Sequence, residues 1–205
     1  MGVNAYPDSP WDLHGQIVAT LMLVPTRELG EPPPGTRIVS VAGRALVTAA
    51  FFRYEEPSPL TYEELMATVL VRRGRRPRVW IPWIWVDSEA SRDGGRALWA
   101  IPKDLARFEV EPGRVHVGEG LGSVLLRSLR RVPGRWPISF RVVQERAGRS
   151  WVTPVGGRVR LQTARGLWTF SGPLAFLQDR RRLLTVRVPR FALRFGRDPQ
   201  DDSRA

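Results

Sequence analysis

Short apolar, β-prone runs broken again and again by proline and glycine constrain this chain more than any other feature. From Ser123 onward the runs 124–132, 136–145, 151–155 and 158–170 are separated by Pro133-Gly134, Ala147-Gly148 and Gly156-Gly157. Each break is a turn signal at short spacing, which predicts a meander of antiparallel strands. The same rhythm holds upstream. Residues 1–15 read as an irregular arm, 16–24 as a strand closed by Pro25, and 37–54 as two β-rich runs broken at Ala42-Gly43. Residues 61–73 open like a helix cap but end in Thr68-Val69-Leu70-Val71, and are read as strand. That places the adjacent Glu63 and Glu64 on opposite faces. The aromatic run 78–86 puts Trp80, Ile84 and Val86 on one parity and Trp83 and Trp85 on the other. Pro112-Gly113 marks a hairpin within 108–119. Helices are predicted only at 88–98, capped by Asp87-Ser88, and at 173–180. Pro189 inside the last strand, 184–195, points to an edge or a bulge.

A chain of 205 residues suits one domain with its own core, assigned here to 1–196, with 197–205 as a polar, disordered tail. The absence of cysteine excludes disulfides, thiolate catalysis and thiolate-bound zinc, and two histidines make a histidine-rich metal site unexpected. No cofactor is expected. No stretch reaches the length of a membrane span and the amino end lacks a signal pattern, so no membrane partner and a cytoplasmic location are expected. The net charge of +12 raises nucleic acid as a partner, yet the arginines are scattered and no recognition motif accompanies them. Specific nucleic-acid binding is therefore not expected.

Of the 32 cationic side chains only one, Lys103, is a lysine. An amine differs from a guanidinium in that desolvation strips its proton and leaves a nucleophile. Leu98, Trp99, Ala100, Ile101 and Pro102 precede Lys103 and Leu105 follows it. Burial in such company is expected to lower its pKa. The plainer alternative is a solvated surface charge.

The segment Gly95-Arg96-x-Leu98-x-Ala100-x-Pro102-Lys103-x-Leu105 resembles the active-site segment of the acetoacetate decarboxylase family, in which the lysine after a proline forms a Schiff base. Tyr62-x-Glu64, Pro10-Trp11-x-Leu13-His14 and Val188-Pro189-Arg190 resemble further family elements in the same order, so the resemblance spans roughly residues 6 to 196. It implies that Glu64 orients substrate or shuttles protons, with Glu63 in that place if the register slips by one. Two positions depart from the pattern. Gln16 stands where the family carries an active-site arginine, and a neutral amide cannot neutralise a substrate carboxylate. Asp104 stands where a second lysine activates the first.

The expected fold is mainly β: an antiparallel, closed or nearly closed barrel or cone with one or two short helices, able to hold a small ligand. The expected activity is decarboxylation of a small keto acid through Lys103, with Glu64 catalytic. Gln16, Glu63, Trp83, Trp85, Trp99 and Arg96 are placed at the substrate, and Arg44 or Arg96 is a substitute for the missing arginine. A homo-oligomer is expected. Schiff-base condensation with dehydration, a non-catalytic ligand-binding barrel and a nonspecific nucleic-acid binder remain as alternatives.

Overall fold

The computed structural model describes residues 5–118 and 120–196. Its strands are β1 (Trp11–Pro25), β2 (Arg37–Ile38), β3 (Ser40–Val41), β4 (Arg44–Tyr54), β5 (Tyr62–Arg73), β6 (Arg76–Val86), β7 (Asp104–Leu105), β8 (Phe108–Glu111), β9 (Arg114–Val117), β10 (Gly122–Arg146), β11 (Arg149–Phe170) and β12 (Arg181–Phe195). One α-helix, α1 (Glu89–Trp99), and short 3-10 turns at Thr26–Glu28 and Gly172–Leu177 complete them. Neighbours in the sheet run β7-β6-β5-β4-β1-β12-β11-β10-β9-β8. A further parallel contact, Val142 with Val79 and Val143 with Trp80, joins β10 back to β6. Seven strands thus form a ring, antiparallel except where this two-residue seam closes it.

Alternation along the strands sends apolar side chains to both faces of the sheet. One cluster lies inside the ring and includes Ile17, Ala50, Tyr62, Met66, Ile84, Val155, Val188 and Phe191. The other lies outside it, where Met22, Val47, Phe51, Leu65 and Val69 meet Val115, Trp168 and Leu174. The second cluster is covered by β9 and by the far ends of β10 and β11, which run on past the ring. Apart from their charged ends and Arg53, β1, β4 and β5 have both faces covered, which accounts for strands that read as nearly continuous apolar runs.

Several elements differ from expectation for local reasons. The strand at the amino end starts at Trp11, inside the supposed arm, because residues 11–15 pair with 191–195 of β12. The breaks at Pro133-Gly134 and Gly156-Gly157 are not turns. β10 and β11 pass straight through them, and the first is absorbed as a register shift between Val132 and Trp136. Ala147-Gly148 is the true hairpin turn. Pro189 lies in a central strand, where bulges on both sides, between Gly15 and Ile17 and between Arg160 and Gln162, remove the need for its missing N–H. A bulge between Ala67 and Val69 shifts β6 so that Trp80 joins Trp83 on the outer face, with ring centroids 6.5 Å apart. The helix expected at 173–180 is instead a 3-10 turn at Gly172–Leu177. The tail, 197–205, lies outside the described residues.

Gly157 shows why a glycine pair need not mean a turn. A Cβ there would stand 2.1 Å from the Ala192 carbonyl oxygen, whereas one at Gly156 would meet nothing closer than 3.8 Å. Gly157→Ala is therefore expected to destabilise the protein by about 1–3 kcal/mol or more. At this chain length that lowers the thermal midpoint by about 2–4 °C per kcal/mol. Gly156→Ala should change it little. Thermal unfolding of the two variants checks the assignment, and equal midpoints would contradict it.

Candidate active site

Helix α1 and the turn after it carry Lys103 into the ring. The Ser88 side chain accepts a hydrogen bond from the Ser91 N–H at 3.2 Å and starts the helix. Ala100, left-handed at φ 56°, ends it, with the Ala100 N–H donating to Arg96 O and the Ile101 N–H to Gly95 O. This reversal lays Ile101-Pro102-Lys103 back beneath the helix. Asp104 and Leu105 then pair in parallel with Trp85 and Val86. Successive side chains of an extended segment alternate, so Lys103 turns inward while Asp104 turns outward to pair with Arg96. Gly94 and Gly95, unfavourable for a helix, have a packing reason. A Cβ at Gly95 would lie 2.8 Å from Lys103 Cδ, and one at Gly94 would lie 2.7 Å from the Trp11 ring.

The amine is buried, with only 4% of Lys103 exposed. Its Nζ donates to Glu64 Oε2 at 2.8 Å, to Ser91 Oγ at 2.9 Å and to the Tyr62 hydroxyl at 3.3 Å. It also stands 5.0 Å from the Tyr62 ring centroid. Glu64 is buried too, and its other oxygen accepts a 3.0 Å hydrogen bond from the Tyr54 hydroxyl. The Tyr54 and Tyr62 rings stack 4.3 Å apart. All three ammonium protons and both carboxylate oxygens thus have partners, the condition under which a charge pair survives burial.

The electrostatics reverse one expectation. Burial pushes Lys103 toward the neutral amine, but the Glu64 carboxylate and the Tyr62 hydroxyl oppose it, and the balance holds the amine above the ordinary lysine value. Lys103 therefore rests as an ammonium paired with Glu64. Burial, with Glu64 adding to it, raises Tyr54 well above the tyrosine range. Burial also raises Tyr62, although Lys103 pulls the other way. Both stay protonated hydroxyls at neutral pH.

Of the residues singled out from the sequence, Lys103 and Glu64 meet and the rest are dispersed. Glu63 faces the outer side of the sheet and accepts from Arg53 Nε at 2.6 Å, with burial raising its pKa against the arginine. Gln16 shares that outer side, donating to Glu55 at 2.8 Å and accepting from Arg187 at 3.1 Å. Trp83 and Trp85 pack against the outer cluster. Trp99 lies in the inner cluster, edge-on to Trp11 at 4.8 Å and to Phe195 at 4.6 Å. Arg96 pairs with Asp104 in solvent, and Arg44 is exposed at the start of β4. Ser91 and Tyr54 were not anticipated, and Tyr62 figured only as a motif marker. The Gly94-Gly95 pair in a short helix was the signal for close packing there. Among the described residues no three His, Asp or Glu side chains cluster as metal ligands, and no helix is long and apolar enough to cross a membrane.

The sequence model for acetoacetate decarboxylase matches residues 33–130, which include both Glu64 and Lys103. Curated proteins give no sequence match. Among solved structures, acetoacetate decarboxylase from Legionella pneumophila superposes with a TM-score of 0.68 at 16% identity, covering 95% of this chain and 87% of that one. An acetoacetate decarboxylase-like enzyme from Sphingomonas wittichii gives 0.64 at 14% identity, covering 94% and 92%. The enduracididine biosynthesis enzyme MppR, complexed with the condensation product of pyruvate and imidazole 4-carboxaldehyde, gives 0.62 at 17%, covering 94% and 90%. At these identities the structural likeness is one of fold. Fold over nearly the whole chain and sequence over residues 33–130 agree: the chain has the acetoacetate decarboxylase-like fold, and its residues 33–130 match the acetoacetate decarboxylase model.

Proposed function

We propose that the protein is an enzyme in which Lys103 forms a Schiff base with a small carbonyl compound, and that decarboxylation of a keto acid is its first reading. The observation that carries this is the buried pair of Lys103 and Glu64, 2.8 Å apart. When a carbonyl arrives, the ammonium passes a proton to Glu64 and the free amine attacks the carbonyl carbon. The carbinolamine then leaves as iminium and water, using the proton that Glu64 took. An iminium beside a carboxylate repeats the charge pattern of the resting pair, so Glu64 is not left as a lone buried charge. With a β-keto acid the electrons of the breaking carbon–carbon bond flow to the iminium nitrogen and carbon dioxide departs. The resulting enamine takes a proton at carbon, and hydrolysis returns Lys103. Ser91 and Tyr62 hold Nζ in line in the resting pair, and Tyr54 orients Glu64.

One observation favours a second reading. The hydrogen-bond partners of Lys103 are Glu64, Ser91 and Tyr62, none of them cationic. A decarboxylase gains about 1.5–3 kcal/mol from a charge-assisted contact to its substrate carboxylate. Gln16 lies on the other side of the sheet, bonded to Glu55 and Arg187. Condensation of a neutral carbonyl compound needs no such contact.

Incubation with pyruvate or acetoacetate followed by borohydride is expected to fix one substrate mass on Lys103, read by intact-protein mass with an amino-terminal control. Lys103→Arg should abolish it. No adduct across a panel of keto acids and aldehydes would leave the non-catalytic barrel as the better reading.

Glu64→Gln is expected to slow adduct formation about a hundredfold or more, since proton transfer by a positioned group contributes about that much. With the carboxylate gone only burial acts strongly on Lys103, so the pH at which the remaining reaction sets in should move down. An upward shift, or an unchanged rate, would contradict the role given to Glu64.

Carbon dioxide release from acetoacetate should be the same for native and Gln16→Arg proteins, and aldehyde trapping should match or exceed it. A several-fold gain in Gln16→Arg would show that position 16 reaches the substrate.

A further inference from the structure

Four arginines border a second cleft and stand without an acid. Arg135, Arg158, Arg160 and Arg190 make no ion pair among the described residues. The cleft measures about 630 Å³, within the range of small-molecule pockets. Lys103 is not among its lining residues. Its position follows from strand register. Ala192 of β12 lies between His14 of β1 and Arg158 of β11, and two residues back Arg190 stands directly opposite Arg160. Small residues, Gly15, Gly157 and Ala192, leave the depression, and the guanidinium groups flank it.

Like charges placed directly across an antiparallel pair repel, and arginine cannot relieve this by losing its proton. Two acids share the lining. Glu55 is already engaged by the Gln16 amide at 2.8 Å, and Glu56 is exposed. Four arginines less two glutamates leave +2, with histidine neutral. His14 adds a buried Nδ1 that has no hydrogen-bond partner among the described residues. A neighbouring cleft of about 370 Å³ shares Arg160 and Arg190 and contributes Arg131. Val159 and Phe191 reach the cleft through their backbone, their side chains being buried in the inner cluster, and Pro57 is exposed at its edge.

Planar guanidinium forks take phosphate oxygens two at a time. From the cross-strand Arg160–Arg190 pair and its unpaired neighbours, we infer that this cleft binds a small phosphate-bearing anion carrying at least two negative charges. Such an anion bridges Arg160 and Arg190 and turns their repulsion into two attractions.

The test is calorimetric titration of the full chain with inorganic pyrophosphate and with ADP, at about 0.15 M salt so that diffuse surface attraction is screened. Native protein, Arg160→Ser, Arg190→Ser and the control Arg149→Ser are compared, the last being exposed at the start of β11 outside the cleft. Saturable one-site binding is expected, weakened at least about tenfold by either cleft substitution, as for one lost charge-assisted contact, and unchanged in the control. Ligand should raise the thermal midpoint of the native protein and of Arg149→Ser but not of the cleft variants. Unliganded melting of all four reports whether each variant folds, and removal of one member of a repelling pair should not lower it. No saturable binding of either probe, or equal losses in control and cleft variants, would overturn the inference. So would binding confined to a single-stranded oligonucleotide, which would mark the arginines as a diffuse polyanion surface.

Discussion

An ammonium and a carboxylate held 2.8 Å apart, with Lys103 4% and Glu64 1% exposed, can stay inside a protein only if every remaining proton and lone pair is met. That requirement organises the surroundings. Ser91 must come from the helix above, Tyr62 from the strand that carries Glu64, and Tyr54 from the next strand, paired with Tyr62 in register. Removing one partner of such a pair strands the other and costs about 3–5 kcal/mol. The pair is thus part of the core, and the protein's stability depends on its atoms.

Folding places these groups through two devices. Strand alternation separates Glu63 from Glu64, which sit side by side in the chain with the same side chain. One is held by Arg53 on the outer face and the other is sealed within the ring. The left-handed Ala100 and the paired glycines of α1 bring the chain back under the helix closely enough for the lysine stem to lie on Gly95. The pH consequence follows from the sign of the shift. The folded state binds the Lys103 proton more tightly than the unfolded chain, so this contribution to stability is fully present below the ordinary lysine value of 10.5. It is lost as pH rises through the higher folded value.

Much of this was legible in the residues. The lone lysine after its proline singled out Lys103, the resemblance to the acetoacetate decarboxylase family set Glu64 beside it, and strand alternation put Glu63 and Glu64 on opposite faces. The β-rich class and the helix ahead of Lys103 were legible for the same reason, since period and capping are local properties. What escaped depended on distant partners. Gly156-Gly157 looks like a turn until β12 is seen to cross it, and Trp80 changes face because a bulge elsewhere in β5–β6 shifts the register. The sign of the Lys103 shift escaped for a similar reason. Apolar neighbours in sequence announce burial, but the carboxylate that outweighs it arrives from 39 positions away.

Because the chain holds a single lysine, isotopic labelling of lysine side chains gives one ammonium resonance, and its titration reads the central pair without assignment. The expected result is a slowly exchanging ammonium that persists above the ordinary lysine value of 10.5 and loses that persistence in Glu64→Gln. A rapidly exchanging signal that titrates at or below that value, indifferent to Glu64, would contradict it.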